Sequence, residues 1–299
     1  MRRGRREETI HGLCGEDRPR GLGGFLRSLL SGIPWSESAQ GMETLTFPPP
    51  RGGLLRVQNA NGKTRVVGEE RKDVEVIACK RARAESSEAA ARLLEEIQVS
   101  ETQTNGALEL EVQIPKKWNR HGAANLEIHV PRELRVEVSA SNGKVSLEGL
   151  RGGAKARSSN GAVTVTDVVG DIDIFTSNAK VECSTTRGRL VARSSNGKIE
   201  LEDHRGSVDA STSNGLISAS IAEVGRDGVL LATSNGRIAL ELPEKVDAEL
   251  DVHVDNGVIR THRDLGGASP QPTGRLRVTL GAGGPPVKLR TSNGSISLK

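Results

Sequence analysis

What this sequence has least of is bulk. Only 2% of its 299 residues are aromatic, with three Phe, two Trp and no Tyr. A conventional globule of this length fills its interior with large side chains, aromatics among them. The composition therefore points to a narrow core of Val, Ile, Leu, Ala and Thr, and it leaves no stacking platform for sugars or single-stranded nucleic acid. No run of about 18 apolar residues occurs, so no transmembrane helix is expected. The best stretch for a signal peptide, residues 21–33, is broken by Arg27, Ser28 and Ser31. These two absences place the chain in the cytoplasm, with Met42, the only Met besides Met1, as an alternative start. The three cysteines, Cys14, Cys79 and Cys183, have neither disulfide-framework nor metal-site spacing. Strong charge is missing too. The excess of 42 Lys+Arg over 38 Asp+Glu equals the four arginines Arg2, Arg3, Arg5 and Arg6, so the body is near neutral and nucleic-acid binding is not expected.

What is there is a repeat. Asn142, Asn160, Asn178, Asn196 and Asn214 lie 18 residues apart, each preceded by Ser; Gly follows four of them and Ala179 the fifth. Gly152, Gly170, Gly188 and Gly206 keep step ten residues after the Asn. A fixed short period is the signature of a repeat architecture. Asn235 and Asn256 follow at 21-residue intervals, which indicates three-residue insertions. Gaps of 37 residues, Asn105–Asn142 and Asn256–Asn293, have Gly122 and Gly274 near their midpoints and read as two coils each, giving roughly a dozen coils.

Alignment on the Asn exposes the core. Three residues after it come Val145, Val163, Val181, Ile199, Ile217, Ile238 and Ile259; six before it come Val136, Ala154, Ile172, Leu190, Val208 and Val229. Each coil thus carries two short strands with inward residues at alternate positions. An up-and-down meander with Asn-Gly hairpins fits the same pattern. Burial favours a β-solenoid, because two dozen meander strands would leave an apolar face open and only one helix, about residues 86–97, is available to cover it. Asn and Gly are expected at the corner because both tolerate positive φ, so Ala179→Gly is expected to be neutral or stabilising.

The fold expected is all-β: a single β-solenoid domain over 51–299 with coils of about 18 residues. It follows a flexible basic, Gly- and Pro-rich tail over 1–50 that carries a short amphipathic helix (Phe25, Leu26, Leu29, Leu30, Ile33).

Candidate chemistry is sparse. His262-Arg263-Asp264-Leu265 matches the start of a kinase catalytic loop, but the Asn required at 269 is Ser. The glycines of 21–24 and 281–284 do not join a strand to a helix as a phosphate cradle does. Asp167, Asp171 and Asp173 cluster around one turn without a calcium-loop spacing. His204 takes a corner position occupied elsewhere by Leu150 and Val168, and Cys183 an inward one, so both read as structural. Lys144, Lys180, Lys198 and Arg237 form a loose basic stripe, and Asp173, Asp209 and Asp251 an acidic one. No residue is assigned a catalytic, cofactor-binding or metal-ligating role.

The phrases Ser141-Asn142-Gly143-Lys144-Val145-Ser146-Leu147 and Thr233-Ser234-Asn235-Gly236-Arg237-Ile238, with the ending over 281–299, resemble the bacterial "putative adhesin" β-strand-repeat family of unknown function, a relative of the head-GIN adhesin domain. The resemblance covers about residues 51–299. It implies a β-helical fold, a cell-envelope or surface role with a protein or envelope partner, and no catalytic residues. The reading is a non-enzymatic, adhesin-like interaction scaffold without cofactor. Two alternatives stand beside it: a cytoplasmic filament built by end-to-end self-association through an uncapped C-terminal edge, and a β-helix carbohydrate-active enzyme, which needs paired carboxylates in a groove.

Overall fold

The computed structural model describes residues 14, 37–115, 121–262, 265 and 269–299. In its central part each coil runs along one strand, turns at Asn-Gly, runs back along a second and turns again. β8 (Arg135–Asn142), β10 (Ala154–Ser158), β12 (Ile172–Thr176) and β14 (Arg187–Ser194) stack in parallel as the strands before the Asn. β9 (Val145–Glu148), β11 (Val163–Thr166) and β13 (Val181–Ser184) stack as those after it. Both ladders continue into β15 (Ile199–Asn214) and β16 (Ile217–Glu241), each of which rounds a corner. Partners are offset by one 18-residue period, Val163 on Val145 and Val181, so like stacks on like. The inward Val, Ile, Leu and Ala of both ladders form one continuous core. This is the β-solenoid expected from the alignment. The three-residue insertion before Asn235 lies at the second corner, where the pairing jumps from Gly206–Val224 to Val208–Val229.

The ends depart from chain order. β2 (Leu54–Asn61) pairs in parallel with both β8 and β6 (Ala107–Gln113), and β3 (Thr64–Glu69) with β9 and β7 (Gly122–Pro131). The first coil is therefore slotted between its two successors. At the other end β19 (Pro286–Leu298) lies between β16 and β17 (Ala248–Thr261). The last residues are thus not at the edge of the stack, and the uncapped C-terminal edge expected from the sequence is not there. Antiparallel strands flank the stack: β5 (Gln98–Thr104) on β6, β18 (Arg275–Leu280) on β17, and β4 (Val74–Ala84) on β7 with β1 (Glu37–Phe47) outside it.

Three expectations change accordingly. Asn105-Gly106, at φ 50° and 78°, makes the hairpin between β5 and β6 and is no coil corner. Gly274 precedes the antiparallel β18, so neither 37-residue gap holds two parallel coils. The ladder of strands before the Asn contains ten parallel strands, β6, β2, β8, β10, β12, β14, β15, β16, β19 and β17. Residues 37–47, placed in the tail by composition, form β1, and Met42 sits at its middle opposite Cys79. The amphipathic helix expected at 25–33 lies outside the described residues.

The one described α-helix longer than a turn, α1 (Ser87–Glu96), starts where Ser86 accepts the Ala89 amide and Glu88 occupies the first turn. It buries Ala90 and Leu93, and Leu94 packs toward Gly41 of β1, so the helix closes the N-terminal end of the core. Among the described residues no helix is long and apolar enough to cross a membrane, which says nothing of strands.

Candidate interaction surface

The Asn-Gly corner builds the most regular surface feature. Side-chain amides run in an unbroken spine, Asn61, Asn142, Asn160, Asn178, Asn196, Asn214, Asn235, Asn293, Asn256, each bonded to the next at 2.9–3.1 Å. Beside it Ser141, Ser159, Ser177, Ser195, Ser213, Ser234 and Ser292 are exposed. Eight steps at about 4.8 Å make a ridge roughly 38 Å long.

Four corner glycines, Gly62, Gly143, Gly257 and Gly294, have the positive φ expected, at 125°, 154°, 152° and 153°, and the others have a different reason. A Cβ at Gly161 would lie 1.7 Å from the Gly143 carbonyl oxygen, and one at Gly236 1.8 Å from that of Gly215. At these glycines the stacked coils approach too closely for a side chain, although the same column accommodates the methyl of Ala179, and no Asn of the spine has positive φ. The second corner has its own left-handed column, Gly149, Asp167, Thr185 and Asp203, at φ 71°, 52°, 52° and 50°, in which three non-glycine residues adopt positive φ. Beneath the spine, Ser158 and Ser194 accept the amides of Gly161 and Gly197, and Thr212 and Thr291 donate to the carbonyls of Gly197 and Gly236. These buried hydroxyls satisfy the corner backbone.

At the second corner Leu150, Val168, Thr186, His204 and Ile221 form a buried column. The two polar members are neighbours, with Thr186 Oγ1 and His204 Nδ1 2.9 Å apart. Burial holds the His204 imidazole neutral, its pKa pushed down to about 4. The histidine is structural, as expected. Cys183 is buried in the core and its thiol is pushed up to about 12 by desolvation, which makes it unreactive.

The outer faces are laced with ion pairs. Arg56 of β2 reaches Glu109 of β6 at 2.7 Å and Glu137 of β8 at 3.2 Å. Arg65 of β3 reaches Glu127 of β7 at 3.1 Å and Glu148 of β9 at 2.9 Å. Glu127 is only 3% exposed and also faces His129, whose pKa it raises. Lys180 and Lys198 of the basic stripe and all three aspartates of the acidic one are ion-paired. Lys180 and Lys198 pair with Glu200, and Lys180 also with Glu182. Arg193 holds Asp209, and Arg275 and Arg277 hold Asp251, whose pKa is lowered chiefly by the Arg275 hydrogen bond.

The other candidates disperse. Asp167 is gripped by Arg151 at 2.9 and 3.0 Å, while Asp173 faces Arg135 and Arg189, so the aspartates of that turn do not converge on a cation. No cluster among the described residues could hold a metal ion. The Ala282 amide in the 281–284 loop is taken by Asp247 at 2.8 Å, which leaves it unavailable to a phosphate. Arg263 and Asp264, like Gly21–Gly24, lie outside the described residues. A shallow groove on the outer face of the second ladder is lined by Glu182, Glu200, Glu202, Glu241 and Lys299. Lys180 and Lys198 lower the Glu200 pKa, opposite to what a glycosidase acid requires.

The sequence reading missed the Cys14–Cys79 disulfide, whose Cα atoms are 5.5 Å apart. A 65-residue separation carries no spacing signal, and Cys79 became a partner only once β4 was known to present it on its outer side.

Comparison with known proteins places the chain. No curated protein matches it. Among solved structures it is similar to a putative adhesin from Parabacteroides merdae ATCC 43184 (11% identity, 88% of this chain and 97% of that one, TM-score 0.47). It is also similar to a putative adhesin from Bacteroides fragilis NCTC 9343 (12%, 87% and 97%, TM-score 0.44). A structure described as a putative lipid binding protein from Parabacteroides distasonis ATCC 8503 matches as well (10%, 87% and 97%, TM-score 0.30). The family profile of Toastrack DUF4097 matches residues 56–299, more than four-fifths of the sequence, and the chain belongs to that family.

Proposed function

We propose that this protein is a non-enzymatic, adhesin-like interaction scaffold that works at the cell envelope and engages a protein or envelope partner along the long face of its solenoid. The observation that carries this reading is the Asn-Ser ridge: a straight polar surface whose amides are bonded to one another from Asn61 to Asn256. Such a ridge is pre-organised, so a partner meeting it orders few side chains and loses little conformational entropy on binding. Lys180 and Lys198 beside it are held in ion pairs by Glu182 and Glu200, which suits a presented surface better than acid-base chemistry. The scaffold needs no cofactor.

Fractionation of the tagged full-length protein in its own host tests the reading. The scaffold is expected with the envelope fraction, and Ser177→Lys/Ser195→Lys/Ser213→Lys on the ridge is expected to release it at least tenfold without changing its melting temperature. Uniform recovery of the parent protein in the cytosol, or retention of the triple variant, would contradict it.

A further inference from the structure

Nine Asn-Gly dipeptides occur in the chain, and eight of them lie in the spine. In such a pair the glycine nitrogen can attack the asparagine side chain, because glycine has no Cβ in the way. In the spine both groups are engaged. Every side-chain amide is bonded to the next. The Gly62 and Gly215 amides donate to the Asn142 and Asn235 carbonyls, and those of Gly161 and Gly197 to the Ser158 and Ser194 hydroxyls. Attack at the spine has to break these bonds first. The ninth pair, Asn105-Gly106, is the two-residue loop between β5 and β6. Asn105 is exposed, and among the described residues neither its side-chain amide nor the Gly106 N–H has a hydrogen-bond partner. Only the Gly106 carbonyl is used, accepting from the Gly52 amide at 2.8 Å.

We propose that Asn105 is a site of spontaneous modification, converted in the folded protein to aspartate and isoaspartate while the spine asparagines are spared. The Gly106 nitrogen, its proton taken by hydroxide, attacks Cγ of Asn105. The new C–N bond closes a five-membered imide, and the Cγ–Nδ2 bond breaks to release ammonia. Water then opens the ring. Addition at Cγ leaves aspartate, and addition at the Asn105 backbone carbonyl carbon leaves isoaspartate, whose main chain runs through Cγ. The balance is one amide and one water giving one carboxylate and one ammonium ion. Isoaspartate carries an extra main-chain carbon into a loop of only two residues, so the pairing of Thr104 with Ala107 that the loop sets is lost. β5 is the strand that covers the outer edge of β6, and its loosening bares a row of unpaired backbone groups at the N-terminal end of the ladder. The loop is thus a slow, one-way timer. It depends on neither the ridge nor its partner.

The test incubates the full-length protein, folded, at mildly alkaline pH and body temperature, with a second sample held unfolded in urea. Tryptic mapping reads the gain of about 1 Da at each Asn-Gly, and the peptide 93–116 contains Asn105 as its only asparagine. In the folded sample Asn105 is expected to convert at least tenfold faster than any spine asparagine, and in urea all nine sites are expected to agree within about threefold. Hydrogen exchange over 98–104 is expected to be at least tenfold faster in the converted fraction than in fresh protein. Asn105→Gln is expected to leave peptide 93–116 unchanged and β5 protected after the same incubation, because a six-membered imide closes far more slowly. A folded-state advantage of Asn105 below tenfold, or equal exchange of β5 before and after conversion, would overturn the proposal.

Discussion

Thr185 shows what one position in a repeat can reveal. It sits at φ 52° in the second-corner column shared with Gly149, Asp167 and Asp203, and it is exposed. A β-branched residue is strained there, at a cost of roughly 1–2 kcal/mol. Thr185→Asn is expected to raise stability by about 1 kcal/mol in a denaturant melt, since Asn tolerates this conformation. At Gly161, which has no positive φ, the logic is contact. Gly161→Ala forces a methyl against the Gly143 carbonyl oxygen and is expected to cost about 3 kcal/mol or more, measured the same way. Ala179 is 9% exposed and has no positive φ, so Ala179→Gly is expected to destabilise by roughly 0.5–1 kcal/mol, the reverse of the outcome expected from the sequence. The sequence marked which positions were special. It could not say whether dihedral angle or close approach made them so, because both demand glycine.

At the scale of elements, the two-strand coil was legible and the order of coils was not. The inward columns of Val, Ile and Leu recur at fixed offsets from Asn, which is enough to derive alternate strands and one core. Periodicity is blind to which coil lies next to which, since every coil presents the same inward residues. Charge supplies what the core cannot. Arg56 and Arg65 of the first coil each separate two glutamates from strands that would otherwise be neighbours, Glu109 from Glu137 and Glu127 from Glu148. Slotting that coil inward turns two repulsive contacts into four attractive ones. Arg65→Met is expected to cost about 3 kcal/mol, because it leaves the buried Glu127 short of its guanidinium; a melt showing less than about 1 kcal/mol would mean that water reaches this carboxylate. Asn105 was read as a corner because Asn-Gly serves equally at a hairpin, and the antiparallel strands it joins have no counterpart in the repeat.

For the molecule as a whole, pH acts through two histidines of opposite sign. His204 is neutral in the fold, its pKa pushed to about 4, while an unfolded histidine takes a proton near 6.5. Its contribution is therefore complete above about pH 6.5 and is lost as pH falls toward 4, on the order of 3 kcal/mol over that window. His129, beside Glu127 and Glu69, has a raised pKa, so its contribution is present below about pH 6.5 and fades as pH rises through the folded value. Melts across pH 4–8 are expected to show a loss on the acid side that His204→Leu, matching Leu150, flattens. The candidate surface was half legible: the Ser-Asn phrase was visible, but its assembly into one spine depended on the inserted end coils. That spatial order is the centre of the account. Selective labelling of asparagine side chains, with nuclear Overhauser contacts measured between their amides, reads it directly. The fold described here predicts contacts from Asn293 to both Asn235 and Asn256 and none between Asn235 and Asn256; a direct Asn235–Asn256 contact, with Asn293 at the end of the spine, would contradict it.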